Sequence, residues 1–257
     1  MCPRRLALQY ACLPFSLAIM TPRRPLALLF DLDDTLWPIG PVIMAAEASW
    51  HSWLAEHAPR VAQAFSVAEL RVRRMALLER RPELVADLYQ LRREALAEVF
   101  AETGEDPAHI EGSMQHFATQ RNIVVPYADV LPVLPLLQGM LRLGVITNGN
   151  ADLEVIGMDH HFEYTLSSSQ FGRAKPDPGI FHAACAAMGV APQDAVYVGD
   201  DLRLDVQGAQ AAGLRAVWMN RHGSQAHLEA GVTPDAICAT FDELLAWILG
   251  QMQHSRA

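Results

Sequence analysis

Four short apolar runs recur along the chain, each ending in polar residues able to do chemistry. They are LALLFD at 26–31, RLGVITN at 142–148, DAVYVGD at 194–200 and LRAVWMN at 214–220. Their length and their content of Val, Ile, Leu and Phe predict strands buried on both faces of a parallel sheet. Helical patterns lie between them, over 129–141, 151–157, 177–188 and 203–212. Gly144, Gly189 and Gly213 read as stops between a helix and the next strand. Pro178 and Pro192 read as helix-start residues, where a missing N–H costs little. A last strand near 235–238 and a helix over 241–250 complete the alternation, which predicts an α/β, doubly wound parallel sheet.

Residues 42–124 break this rhythm. ELRVRRMALLERR, PELVADLYQLRREALAEVFAETG and DPAHIEGSMQHFATQRN place apolar residues at three- and four-residue spacing, with no convincing strand among them. The block predicts an all-helical insert of about four helices, entering just after the first strand. IVVPYADV returns the chain to the sheet near Pro126. The expected organisation is a core over 25–41 and 125–251, a helical cap over 42–124, an N-terminal extension over 1–24 and a tail over 252–257. The first twenty residues, MCPRRLALQYACLPFSLAIM, faintly resemble an export signal, but Gln9 and Pro14 interrupt the apolar stretch. They are expected to be disordered or to precede the natural start, because Met20 opens a more compact beginning.

Composition narrows the function classes. Twenty Lys and Arg against 29 Asp and Glu give a formal net charge of −9. A nucleic-acid surface needs a basic stripe, so nucleic acid is not an expected partner. A small anionic substrate stays possible, because a bound cation reverses the local potential of an acidic site. No run reaches a membrane span, and no membrane partner is expected. Cys2, Cys12, Cys185 and Cys238 form no C-x-x-C pair and fit a reducing cytoplasm.

The polar residues that end the runs are the candidates for chemistry, because ligands of an open parallel sheet bind at the carboxyl ends of its strands. Asp31 and Asp33 follow the first run, Thr147 and Asn148 end the second, and Asp200 and Asp201 the third. Lys175 opens the loop of GRAKPDPG, and Asp205 lies on the first turn after GDD. Taken singly, each has an ordinary explanation. DLDDT can be a turn with an N-cap, TNGN a tight turn, KPDP a helix entry, and GDDLRLD a cap whose acids complement the helix dipole. Their common placement at strand ends is what points to a site.

FDLDDTLW, ITNGN, GRAKPDP and VGDDLRLD resemble the four ordered motifs of the haloacid dehalogenase-like hydrolases, and the helical insert resembles their helical-bundle cap. The resemblance covers about Leu26 to Trp247. Within the superfamily the motifs are most similar to bacterial riboflavin-pathway phosphatases acting on flavin mononucleotide or 5-amino-6-(5-phosphoribitylamino)uracil phosphate. It implies a Rossmann-like core and an enzyme, a phosphoric monoester hydrolase. Asp31 would be the nucleophile, Asp33 the acid and base, and Thr147, Asn148 and Lys175 the phosphate-binding residues. Mg2+ would sit on Asp31, Asp200 and the main-chain carbonyl of Asp33, with Asp201 and Asp205 as supporting acids that hold a metal-bound water or orient Lys175. Asp34 and Thr35 are expected only to shape the turn. Dehalogenases of this superfamily carry a bulky, non-acidic residue at the position of Asp33, so the resemblance implies phosphatase rather than dehalogenase. Two other readings remain open from sequence: a sugar-phosphate mutase, and a non-catalytic binding or regulatory module.

The cap would supply specificity for a small phosphorylated metabolite. Trp37, Trp50, His51, Trp53 and His57 cluster near its first helix. They are read either as packing between helices or as a platform for a flavin or pyrimidine ring. Arg71, Arg73, Arg74, Arg80 and Arg81 are read as a solvated helix face. His160 and His161 mark a helix end.

Overall fold

The computed structural model describes residues 24–226 and 231–254. The expected N-terminal extension lies outside them except for Arg24, as do Cys2, Cys12 and the last three residues of the expected tail.

Among the described residues six parallel strands form one sheet, in the order β3-β2-β1-β4-β5-β6. They are β1 Ala27–Phe30, β2 Arg142–Thr147, β3 Tyr164–Ser167, β4 Ala195–Gly199, β5 Arg215–Met219 and β6 Ala236–Cys238. β1 pairs on one side with β2 and on the other with β4, Phe30 standing opposite both Val145 and Val198. The chain runs outward from β1 through β2 and β3, then returns to build β4, β5 and β6 on the other side. The strand order reverses at β1 and β4, which opens a crevice at their carboxyl ends.

Successive side chains of a strand point to opposite faces, and the core divides accordingly. Leu28, Phe30, Val145, Val196, Val198 and Val217 pack with α6 (Val130–Gln138) and the helix Phe241–His254. Ala27, Leu29, Ile146, Tyr197, Ala216 and Trp218 pack with the helix Pro178–Ala187 and the short helix Gly208–Ala211. Helices on both faces explain why these strands read as continuous apolar runs rather than alternating ones.

β3 escaped the sequence reading. It is an edge strand of four residues, half-exposed and running straight into a serine-rich helix start. Gly144 is also corrected: it lies inside β2, paired with Leu29, and is not a helix stop. A β-carbon there would fall 2.6 Å from Met188 Sδ and 2.9 Å from Leu29 Cδ2. The helix ends earlier, at Gln138.

The insertion folds as α1 Ile39–His57, α2 Pro59–Ala64, α3 Val67–Arg80, α4 Leu88–Thr103 and α5 His109–Arg121. Its own core joins Trp50, Leu54, Leu70, Leu96, Val99, Phe100, Met114 and Phe117. Trp50 is buried and donates to Ser113 Oγ at 2.6 Å, while Trp53 stacks on His57 with ring centres 4.2 Å apart. These rings pack helices of the insertion together, and Trp37 is buried against the sheet.

The arginines of α3 and Arg81 just beyond it are mostly exposed, as expected, but each is paired with an acid. Arg73 pairs with Glu102, Arg80 with Glu98, and Arg81 with Glu83 and Glu94. Arg71 and Arg74 reach the buried carboxylate of Glu47, which Arg92 approaches at 3.6 Å. Burial alone would raise the pKa of Glu47, but the three guanidiniums outweigh it and hold the group below its usual range.

Two substitutions test this packing. Gly144→Ala is expected to destabilise by about 1–3 kcal/mol through overpacking, read as a lower urea midpoint with an unchanged slope. Glu47→Ala leaves buried guanidinium charge uncompensated, with an expected loss on the order of 3 kcal/mol in the same measurement.

Candidate active site

The crevice between β1 and β4 gathers the acidic residues that the motifs contain. Asp31 directly follows β1, and its N–H donates to Val198 O of β4 at 2.9 Å, tying the two strand ends together. Its carboxylate lies at the floor, where Oδ1 accepts from Lys175 Nζ at 2.8 Å. The same ammonium donates to Asp205 Oδ1 at 2.7 Å and to the Tyr197 hydroxyl at 2.8 Å. Tyr197 passes its own proton to Ile146 O at 2.7 Å. Lys175 thus spends all three donors inside the protein, and only 4% of the residue is exposed.

The local chain explains how Lys175 arrives there. Asn148, one residue past β2, accepts from Lys175 N–H through Oδ1 at 2.7 Å and donates through Nδ2 to Lys175 O at 3.1 Å. Its side chain therefore clamps the lysine backbone, and its main-chain N–H is what remains for a ligand. Asp205 reaches back beneath the end of β4 because residue 199 is glycine; a β-carbon there would fall 2.4 Å from Asp205 Cγ.

The two supporting acids separate. Asp205 is buried, orients Lys175, and accepts Asp201 N–H on Oδ2 at 2.9 Å. Asp201 Oδ1 accepts Arg203 and Leu204 N–H at the start of the turn Leu202–Gln207, so it is a cap. Thr147 ends β2, buried, with Oγ1 accepting Gly149 N–H at 2.9 Å. No acceptor for its hydroxyl proton lies among the described residues.

Asp31, Asp200 and Asp205 each bring a carboxylate oxygen within 4.8 Å of the others. Three acids face one ammonium, and the electrostatics show the imbalance. Burial pushes Asp200 up to about 7, helped by the negative charges of Asp205 and Asp34 and opposed by the hydroxyl of Thr35. Burial also raises Asp31 well above the usual carboxylate range, against the pull of Lys175. Burial works against the Lys175 ammonium, yet Asp205 and Asp31 overcome it and hold its pKa well above normal. A site of hard oxygen donors with surplus negative charge fits a divalent cation, which would restore the ionised carboxylates. The carboxylate of Asp33 stands apart from this cluster, held by Trp37 Nε1 at 2.9 Å and by Arg121 Nη2 at 2.7 and 2.8 Å.

Three residues, Trp218, Tyr197 and Arg121, escaped the sequence reading, and a fourth has a wider role than it gave. Thr35 does more than shape the turn, since its hydroxyl donates to Asp200 Oδ1 at 3.2 Å. Trp218 Nε1 holds Asp200 O at 2.7 Å. Tyr197 carried a signal, a hydroxyl in the middle of an otherwise aliphatic strand that must find a partner when buried. Arg121 carried none, lying about ninety residues from Asp33 at the end of a helix. Asp34 matches its expected role: at φ 59° it turns the chain, and Oδ1 accepts Ile39 N–H at the start of α1. Beside Asp200, a cavity of about 510 Å³ is lined by Asp34, Asp201, Trp218, Asn220 and Arg221.

Comparison with known proteins agrees with this arrangement. The 5-amino-6-(5-phospho-D-ribitylamino)uracil phosphatase YigB of Escherichia coli K12 is 32% identical over 197 residues, covering 75% of this chain and 82% of its own. The glyceraldehyde 3-phosphate phosphatase of Methanopyrus kandleri is 33% identical, covering 76% and 84%. A crystal structure of a 2-haloacid dehalogenase, from Pseudomonas syringae pv. tomato DC3000, superposes with a TM-score of 0.82 at 35% identity over 88% of this chain and 99% of its own. The family model of haloacid dehalogenase-like hydrolases matches residues 26–213, taking in every residue of the crevice from Asp31 to Asp205, and the chain belongs to that family.

Proposed function

We propose that the protein is a Mg2+-dependent phosphatase that hydrolyses a small phosphate monoester through a phosphorylated Asp31. The observation that carries this reading is the clustering of Asp31, Asp200 and Asp205 at the switch point of the sheet, with one ammonium paired to Asp31 and Asp205. A monoester is dianionic, and bringing a carboxylate to its phosphorus demands positive charge from both a lysine and a cation. An attack on the carbon of a haloacid, the chemistry named by the dehalogenase structure, makes no such demand, and Asp33 gives this chain the proton carrier that an alcohol leaving group needs.

Asp31 Oδ2 bears no hydrogen bond among the described residues and is the attacking atom. As its bond to phosphorus forms, the bond to the ester oxygen breaks and Asp33 gives that oxygen a proton. Water then attacks the same phosphorus, Asp33 takes its proton, and inorganic phosphate leaves with Asp31 restored. Thr147 offers its free hydroxyl proton and Lys175 its charge to the phosphoryl oxygens, with the Asn148 N–H beside them. When bound by Asp31 and Asp200, together with the Asp33 carbonyl, Mg2+ would neutralise the phosphoryl charge. The helical insert acts as a cap, and through Arg121 it reaches the Asp33 side of the crevice, where the leaving group would lie. The similarity to the ribitylaminouracil phosphatase supports a riboflavin-pathway substrate, that ester or flavin mononucleotide.

Two measurements test the proposal. Phosphate release from a panel of flavin, ribityl-uracil, triose and nucleotide phosphates is expected to require Mg2+, to stop with chelator and to fall to background in Asp31→Asn. Halide release from 2-chloropropionate is expected to be absent; halide release without phosphate release would replace this reading with the dehalogenase. Within the panel, a flat profile would remove the flavin assignment. Thr147→Ala is expected to lower kcat by about 10²-fold, as for loss of one donor to developing charge.

A further inference from the structure

Arg121 is the last residue of α5, the helix that closes the insertion, yet its side chain lies in the crevice of the core. Nη2 contacts both oxygens of Asp33, and Nε donates to Asn150 Oδ1 at 3.3 Å, in the loop after β2. Only 2% of the side chain is exposed, against 23% for Asp33. The remaining nitrogen, Nη1, is buried with no partner among the described residues. Leaving a buried donor unpaired costs about 1–3 kcal/mol, so maximal bonding does not explain the placement. The pair also lies at the reacting end of the site. A β-carbon on Gly149 would fall 2.8 Å from Asp33 Oδ2 and 3.3 Å from both Arg121 Nη2 and Thr147 Oγ1.

We infer that Arg121 is a positioning residue for Asp33, delivered by the cap, that sets the carboxyl group toward the leaving-group oxygen. The inference rests on the phosphatase reading. Asp33 lies two residues from Asp31, close to an expected cation, and an untethered carboxylate there is drawn to that cation rather than to the ester oxygen. Trp37 Nε1 holds Oδ1 from the core side. Arg121 Nη2 holds both oxygens from the cap side, and only this contact and the off-axis Trp37 bond together fix the direction and plane of the group. Because Arg121 belongs to α5, which packs along α1, the setting of the proton carrier depends on where the cap stands. Reacting groups displaced by about 1 Å lose on the order of 10² in rate, which sets the scale of the effect.

The test separates proton delivery from phosphate binding by the ester used. An alkyl phosphate has a poor leaving group that needs a proton, whereas p-nitrophenolate leaves unaided. Arg121→Met is expected to lower kcat/KM about 100-fold for the alkyl phosphate that the panel ranks first. For p-nitrophenyl phosphate the expected change is less than about threefold. In an Asp33→Asn background the same substitution is expected to change either value by less than about twofold, since the residue it positions is gone. Equal losses on both esters, or an additive loss in that background, would overturn the inference and make Arg121 a phosphate ligand. If thermal melting shows Arg121→Met unfolded, Arg121→Lys keeps the charge but loses the Nε bond to Asn150 that anchors the guanidinium. It should lower the alkyl-to-aryl ratio about tenfold, and an unchanged ratio refutes the role. A wild type inactive on both esters would sink the phosphatase reading and this inference with it, whereas with an active wild type the ester ratio bears on Arg121 alone.

Discussion

A buried ammonium organises the crevice. Lys175 has three N–H donors and meets three oxygens, from Asp31, Asp205 and Tyr197, each on a different element. A lysine so removed from water is tolerable only when its charge and every donor are matched, and the matching dictates its surroundings. Tyr197 must sit in the middle strand so that its hydroxyl can relay to Ile146. Residue 199 must lack a side chain so that Asp205 can fold back. Asn148 must grip the Lys175 backbone from both sides. Each is a packing requirement with an electrostatic origin.

The same constraint leaves the site with unused negative charge. Two carboxylates satisfy the lysine, and Asp200 adds a third with only a threonine hydroxyl for support. A structure that needed only stability would not keep Asp200 there, since its pKa of about 7 reflects a cost of burial. The surplus makes sense when a cation and a doubly charged phosphoryl group join the balance. Rigidity comes from the sheet, whose central strands are wholly buried, so the acids at its edge are held by the stiffest part of the molecule. The helical insertion contributes in a different way, placing one guanidinium against the carboxylate of Asp33.

Much of this was legible in order along the chain. Asp31, Thr147 and Asp200 could be placed because each ends an apolar run, and a parallel sheet brings such ends to one edge. The insertion could be recognised because its periodicity changes from strand to helix. What failed did so for physical reasons. β3 lies at the edge, so it lacks the two-sided burial that marks its neighbours. Gly144 looked like punctuation, but it is a strand residue closely overlaid by Met188 and Leu29. Of the two readings left open for the tryptophans, packing holds for Trp37 and Trp50, which are buried. The arginines around α3 are mostly exposed as read, but no local pattern gave their partners on α4 or the buried Glu47.

The sequence by itself determined the fold class and the acids at the strand ends, because periodicity and strand-end position are local properties that topology then converts into proximity; the family came from the resemblance of its motifs. Only the tertiary structure decided how those acids divide their work. Asp205 serves Lys175 while Asp201, four residues earlier, serves backbone N–H groups; both are aspartates on one turn, and only direction separates them. It likewise decided that Arg121, about ninety residues from Asp33, meets it. Such pairings depend on how two separately folded layers dock, and no spacing along the chain records that.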